Sequence, residues 1–405
     1  MIKSAALPFH LGSATLLRVS AEGVATALVL TVEARTGDAA TAGYLQTAMT
    51  LPYVLSGPLI GNALDRVGRP RGIAVALAAG YVVATGLLLA TAGRSPLVLA
   101  LLVAAVIGCT EPIVVALTSL LPRFVPENRL ARAYGLEASS YNVAAIAGPG
   151  FAAGLAAVAG GQYAGTAVVA VGVLGLLTLP LLPFPGVDVD GGRGAGMTSM
   201  ITGGLMVLVE GRVLRALTAA TTLAWTGFGG VAVMAVLLAE HIGAAPSAGG
   251  RLLVALAVGS LIGSLASSRW LKPRHAEPVM LVGLVAFGAS LASLAVVPSL
   301  TWATVAFVAA GVFEGPVFAA TLMLRQREAP PDRLGQVNTT AGSLKIGASA
   351  VGAALTAASA DAIGAVGLVL AIAAFQVGGA LVGLLLLRVP AADVLEAGVR
   401  VESGE

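Results

Sequence analysis

A chain of 405 residues with 57% hydrophobic and 11% charged residues has too little polar surface to face water, because soluble domains carry about 25% charged residues. Its net charge of +3 is no nucleic-acid signal. One cysteine, Cys109, excludes an internal disulfide or a cysteine-cluster metal site, and His10, His241 and His275 lie too far apart for metal-ligand spacing. None of the three lysines follows a G-x-x-x-x-G stretch, and neither H-E-x-x-H nor G-x-S-x-G occurs. ATP hydrolysis and enzymatic catalysis are therefore not expected, and no metal or cofactor is called for.

A helix needs about 20 apolar residues to cross the hydrocarbon core. Twelve such runs follow in order, near 11–33, 40–64, 72–93, 96–121, 131–158, 163–184, 212–238, 247–268, 278–297, 300–324, 334–358 and 363–387. The first reads as an uncleaved span and not as a removed signal peptide. Runs this long are helices, not barrel strands. The expected fold is an all-α integral membrane protein of twelve transmembrane helices in two six-helix bundles. Gly and Ala saturate the runs and let helices approach closely where no hydrophobic force drives them together.

Basic residues set the direction. The connections after spans 2, 4, 6, 8 and 10 carry Arg66, Arg69, Arg71, Arg123, Arg129, Arg193, Arg269, Lys272, Arg274, Arg325 and Arg327, whereas those after odd spans hold little beyond Arg35, Arg94 and Arg251. Both termini are thus expected in the cytoplasm, with the chain in a plasma (inner) membrane. The one long polar segment contains GVDVDGGRGAGMTS and reads as a flexible linker. The expected organisation is an N-terminal bundle over 1–184, a cytoplasmic linker over 185–211, a C-terminal bundle over 212–388 and a cytoplasmic tail over 389–405.

Shifted by about 203 residues, the sequence returns weakly on itself. LIGNALDRVGRPR at 59–71 lies over LIGSLASSRWLKPR at 261–274, and Glu111 falls on Glu314 at the same depth in its span. Such a period implies two parallel bundles, a substrate between them near midplane, and rocking of one against the other.

The loop between spans 2 and 3 reads Gly61-x-x-x-Asp65-Arg66-x-Gly68-Arg69-x-Arg71. It resembles the signature loop of the major facilitator superfamily, and the twelve spans and their repeat agree over the whole chain. In the second half the Asp position is Ser267. The resemblance implies a gate: Asp65 accepts hydrogen bonds from a neighbouring helix N-terminus and pairs with arginine across the bundle interface when the cytoplasmic side is closed. Span 5 carries Gly135, Ala144, Gly148-Pro149 and Ala152-Ala153. It is similar to the antiporter motif of that superfamily at Gly135, Gly148 and Pro149, with three glycines replaced by alanine. The basic residue that drug–proton antiporters often carry in span 4 falls on Ala104 here, so that role is not carried over.

A charge at the bilayer midplane costs at least about 2.5 kcal/mol and needs a partner, water or a function. Arg18 and Glu22 in span 1, Glu111 in span 4, Glu314 in span 10 and Lys345 in span 11 are such charges, and Glu137 in span 5 lies nearer the cytoplasmic end. Spans 3, 6, 9 and 12 hold no interior charge; in the resembled fold these face lipid. Arg18 and Glu22, four apart, can pair on one helix face. Glu22 is also suited to cycling a proton or binding a cationic substrate. Glu111 precedes Pro112, and Glu314 precedes Gly315-Pro316, so each carboxylate stands beside a kink-prone proline. Lys345 is counter-ion to Glu314 at a cavity floor, or the two form a buried salt bridge that gives the bundle its register. Tyr141 and Asn142 contact substrate or bridge helices, and Trp225, Thr226 and Phe228 either form an aromatic patch for an organic substrate or simply pack.

These readings converge on a monomeric secondary transporter in the bilayer, exporting small, partly apolar organic compounds in exchange for protons. The alternatives are an uptake symporter of the same fold and a non-transporting membrane sensor or assembly protein.

Overall fold

The computed structural model describes residues 2–37, 40–66, 70–182, 197–245 and 248–388, and among them there is no strand. Helices α1 (Ile2–Thr36), α2 (Ala40–Arg66) and α3 (Pro70–Thr91) precede a span broken into α4 (Leu97–Thr110), α5 (Ile113–Ala116), a 3-10 turn and α6 (Leu121–Phe124). Then come α7 (Glu127–Ala159), α8 (Ala164–Thr178) and α9 (Met197–Glu210). Helices α10 (Arg212–Phe228) and α11 (Val231–His241) form one span interrupted at Gly229-Gly230. They are followed by α12 (Ala248–Trp270), α13 (Ala276–Ala292), α14 (Leu300–Glu328) and α15 (Leu334–Arg388).

Among the described residues, ten stretches are long and apolar enough to cross a membrane. One of them is α15, whose 55 residues would reach about 80 Å as a straight helix, far beyond a core of about 30 Å. It breaks at Gly364, where φ is 63° and ψ −177°, a combination open essentially to glycine alone. Both legs pack on α10, Gly352 beside Thr226 and Gly379 beside Ala220, so the chain doubles back there and supplies two spans. The twelfth is α2, made less apolar by Gln46, Asn62 and Asp65 and wedged between α4 and the first leg of α15.

Small residues make the helix crossings. Where α12 meets α14, Gly259 lies on the backbone of Val308 and Gly311 on that of Leu256; a Cβ at either would collide with a carbonyl oxygen. Dispersion and close backbone approach hold such pairs in lipid.

Each half keeps its own core. One cluster includes Leu17, Leu28, Leu88 and Ile107, all before residue 183. Another includes Met234, Leu252, Phe287 and Phe307, all after residue 230. A third joins the halves through Tyr134, Ala138, Leu217, Leu271 and Met323. These residues lie toward the end of the molecule where α2 finishes and α15 begins, the arginine-rich end. The bundles therefore share a core at the charged end.

One sequence expectation is corrected. The stretch read as a flexible linker contains α9, which packs on α2, α10 and α15. Its apolar face, with Leu208 buried against Leu334, Val337 and Ala341, outweighs the Gly- and Asp-rich segment before it. Helix α14 runs without interruption through Pro316, whereas α4 stops at Thr110, just before Glu111-Pro112.

Candidate functional site

The charged end is closed by α2 and α15. The Asp65 carboxylate accepts the backbone N–H of Gly335 at 2.9 Å and of Gln336 at 2.8 Å. Both belong to the first turn of α15, whose N–H groups lack intrahelical partners. The negative charge also meets the positive end of the helix dipole. Gly61, one turn earlier, lies against the backbone of Gly335 and Gln336 and leaves no room for a side chain. Across the molecule, Gly135 of α7 packs on the backbone of Ser268 of α12 in the same manner. Higher up, Ser139 shares a hydrogen bond of 3.0 Å with Ser264, and the Asn142 amide donates to Ser264 at 3.3 Å.

The expected Asp65–arginine pair is absent among the described residues: Asp65 is held by backbone N–H groups. Arg66 is exposed, and Arg71 donates to the Leu182 carbonyl at 3.1 Å, pinning α3 to the end of the α8 span. Gly68 and Arg69 lie outside the described residues, as does Arg193. Gly148 does not reach the other bundle. It lies on Val19 and Gly23 of α1, with Pro149 following inside α7.

Above the closed end, α1, α5 and α7 build a buried ionic cluster. Arg18 and Glu137 pair at 2.5 Å, with side chains 1% and 0% exposed. Arg18 also donates to Ser140, to the Thr118 hydroxyl at 3.1 Å and to the Val114 carbonyl at 3.4 Å. His10, fully buried, stands 3.4 Å from the second Glu137 oxygen. The sequence pairing of Arg18 with Glu22 is thus corrected. Glu137 is the partner because α7 crosses α1 at Arg18, whereas Glu22 sits one turn further along and is exposed.

Glu22, on α1, is exposed. It lies within electrostatic reach of Glu111, and both act on the Tyr53 hydroxyl of α2. No ion pair holds Glu22 or Glu111 among the described residues. Glu111 stands at the break between α4 and α5, where Pro112 removes a backbone donor.

In the other half, Glu314 and Lys345 line one cleft together with Trp225, Phe228 and Phe318. They are not an ion pair. Glu314 accepts a hydrogen bond from Ser260, and the Lys345 ammonium sits 4.0 Å from the ring centroid of Trp225 and 4.7 Å from that of Phe318. Direct contact is absent, but each charge lies within electrostatic reach of the other, so Glu314 remains the counter-charge of Lys345 while aromatic faces hold the ammonium. Phe318 stacks edge-on against Tyr141 of the other bundle at 5.2 Å, and Tyr141 carries the Arg18 guanidinium on its face at 3.7 Å. Arg18, Tyr141, Phe318, Lys345 and Trp225 form a continuous stack across the midplane. Trp225 and Phe228 are 4.8 Å apart and also border an apolar cavity of about 300 Å³ beside the break at Gly229-Gly230.

Sequence reasoning missed Glu137 as the partner of Arg18, His10 as its neighbour, and Ser260 and Ser264 as hydrogen-bonding groups. No spacing signal links these positions, since each contact joins helices about 50 or more residues apart; only the depth of Glu137 in span 5 was legible.

Two short halves meeting at one closed end around a midplane cleft define a transporter fold, and sequence comparison agrees. The sequence model of the Major Facilitator Superfamily matches residues 11–220 and 217–400. The chain belongs to that superfamily, and it is a transporter and not an enzyme. It is 26% identical over 355 residues, 85% of each chain, to a protein of Sinorhizobium fredii (strain NBRC 101917 / NGR234) described as the uncharacterized MFS-type transporter y4rN. Among solved structures, the human organic anion transporter MFSD10 (TETRAN) superposes with a TM-score of 0.80 at 15% identity, covering 95% of this chain and 99% of that one. A bacterial homologue of the iron transporter ferroportin in its outward-facing state gives 0.71 at 15% identity, covering 96% and 98%. The E. coli fucose:proton symporter FucP gives 0.71 at 16%, covering 94% and 98%. These likenesses concern the fold.

Proposed function

We propose that this chain is a proton-coupled exporter of small, partly apolar organic compounds, working by alternating access in a plasma membrane. The observation that carries the reading is the pair Glu22 and Glu111: two carboxylates inside the spans, within electrostatic reach of each other, with no ion pair to either among the described residues. A carboxylate in that position is costly unless it cycles a proton or meets a cationic group. The cleft is otherwise mostly apolar, which suits amphipathic organic compounds better than sugars. In this reading both termini and the arginine-rich end are cytoplasmic, following the distribution of basic residues, and the α2–α15 and α7–α12 contacts close the cytoplasmic side. Residues 1–184 and 212–388 act as the two moving bodies, joined through 185–211, with 389–405 as a tail. Asp65 and Gly61 form the cytoplasmic gate, and the chain works as a monomer.

The test is expression in a bacterium lacking its main efflux pumps, with growth inhibition compared across a panel of antibiotics, dyes and amphipathic metabolites, and Glu22→Gln and Glu111→Gln as controls. Any compound that scores is then loaded into proteoliposomes under an imposed pH gradient. Export driven by the gradient and lost in Glu22→Gln supports the reading. Gradient-independent movement, or full export by both variants, overturns proton coupling through these residues. Accumulation inside cells reverses the direction in favour of uptake.

A further inference from the structure

Glu314 and Lys345 are two opposite charges on the wall of one cleft that do not touch each other. The usual outcome for such neighbours in a low-dielectric interior is a direct ion pair, because each charge is costly to desolvate alone. Here each is held away from the other by a partner of its own. Ser260 donates its hydroxyl to Glu314, and Trp225 and Phe318 present their faces to the Lys345 ammonium. No hydrogen-bond acceptor meets that ammonium among the described residues. The two charges are a split pair, out of direct contact yet within electrostatic reach of each other, with the buried Arg325 also acting on Lys345.

The chemistry that completes a split pair is narrow. A cation placed on Glu314 leaves Lys345 without a contacting anion, an anion placed on Lys345 leaves Glu314 without a contacting cation, and a neutral compound supplies neither contact. A zwitterion answers both, with an ammonium on Glu314 and a carboxylate on Lys345. The surroundings specify the rest of the molecule. The cleft itself has about 20 Å³ of free space, room for little more than one water, so a head group enters only as Lys345 swings off Phe318. Beyond Trp225 and Phe228, which border both spaces, the cavity of about 300 Å³ is walled by Val231, Leu253 and Leu256 and takes an apolar body.

We propose that this site binds a zwitterion with an apolar body, of the aromatic α-amino-acid type, its two charges divided between Glu314 and Lys345 and its ring against Trp225 and Phe228. The inference deepens the exporter reading by naming a substrate class, and its binding test needs no gradient, so the two fail separately. Binding also connects to movement: drawing Lys345 from Phe318 loosens the stack that ends on Tyr141 of the opposite bundle.

The experiment uses the full chain in lipid nanodiscs, with the exposed Trp270 and Trp302 replaced by phenylalanine so that emission reports Trp225 alone. The probes are L-phenylalanine, phenethylamine and 3-phenylpropionate, which share a ring and differ in charge. L-Phenylalanine is expected to change Trp225 emission saturably, with each singly charged probe at least tenfold weaker. Glu314→Gln is expected to lose the preference for L-phenylalanine over 3-phenylpropionate, and Lys345→Gln the preference over phenethylamine. The proposal is overturned if no probe gives a saturable change, if the three bind the unsubstituted site equally, or if both variants keep the original ranking. The ranking on the unsubstituted charges decides even if a variant fails to fold. Active proton-coupled export with no such preference would sink the zwitterion site and leave the exporter reading standing.

Discussion

Two midplane cation–carboxylate sites, one in each bundle, solve the same electrostatic problem in opposite ways. In the first, Arg18 and Glu137 are in contact at 2.5 Å and all but sealed from solvent, and the guanidinium is further satisfied by Ser140, Thr118 and the Val114 carbonyl. In the second, Lys345 and Glu314 share a cleft without pairing. Arg suits the first because its planar fork reaches several acceptors at once; Lys suits the second because a single ammonium on a flexible stem can leave aromatic faces for a ligand. A closed pair holds helices in register, whereas a split pair is poised to bind.

The comparison is most readily broken by Arg18→Met. Removing one partner strands Glu137 in a buried site and is expected to cost about 3–5 kcal/mol, read as a large fall in Tm or loss of folded protein in mild detergent. Arg18→Met combined with Glu137→Gln should recover much of it. If Arg18→Met melts like the unsubstituted protein, the cluster is not what holds α1 to α7.

Asp65→Asn acts on the gate and not on either pair. It removes a charge-assisted contact to Gly335 and Gln336 worth about 1.5–3 kcal/mol, which amounts to a population shift of roughly tenfold to a hundredfold. With Cys109→Ser as background, thiol labelling of Ser268→Cys at the α7–α12 contact should accelerate by that order, while Tm moves little. An unchanged labelling rate at normal membrane levels would remove Asp65 from gating.

Gly364→Ala probes the reversal that lets α15 supply two spans. An alanine forced to φ 63° and ψ −177° should lower stability by about 1–3 kcal/mol, measured by thermal unfolding. An unchanged Tm would mean that the turn relaxes without strain.

Lys345→Met is the counterpart of Arg18→Met and the smallest expected effect. The substitution puts an apolar chain of similar length among Trp225 and Phe318 and leaves Glu314 its bond to Ser260, so Tm should move by less than about 1 kcal/mol in equivalent stability. A loss as large as that of Arg18→Met would show that Lys345 is a structural charge after all and would erase the contrast between the two sites.

Much of the fold was legible because the bilayer leaves few choices. Apolar runs of about 20 residues can only be helices, and the shift of about half a chain that overlays Glu111 on Glu314 announces two related halves. The role of Asp65 at a neighbour's helix N-terminus was legible from its motif, although its partner helix was not. The pairings were the illegible part. Arg18 and Glu22 satisfy the local spacing rule, yet Arg18 turns to Glu137, 119 positions away. Lys345 and Glu314 are at the right depth to pair, yet Glu314 takes its hydrogen bond from Ser260 and Lys345 lies over two aromatic rings. The stretch after the polar segment looked like more linker, although a few apolar residues there suffice to dock α9.

Hydropathy, the basic-residue pattern and the repeat are properties of the chain in its solvent, so the sequence by itself determined that this is a twelve-span, two-bundle membrane protein of the major facilitator type with charges at midplane. Which charge meets which, which end is closed, and which two opposite charges stand apart depend on helix crossings set by glycine contacts such as Gly61 on Gly335 and Gly135 on Ser268. Those crossings bring together residues more than a hundred positions apart, where no local spacing rule operates. Only the tertiary structure could decide them.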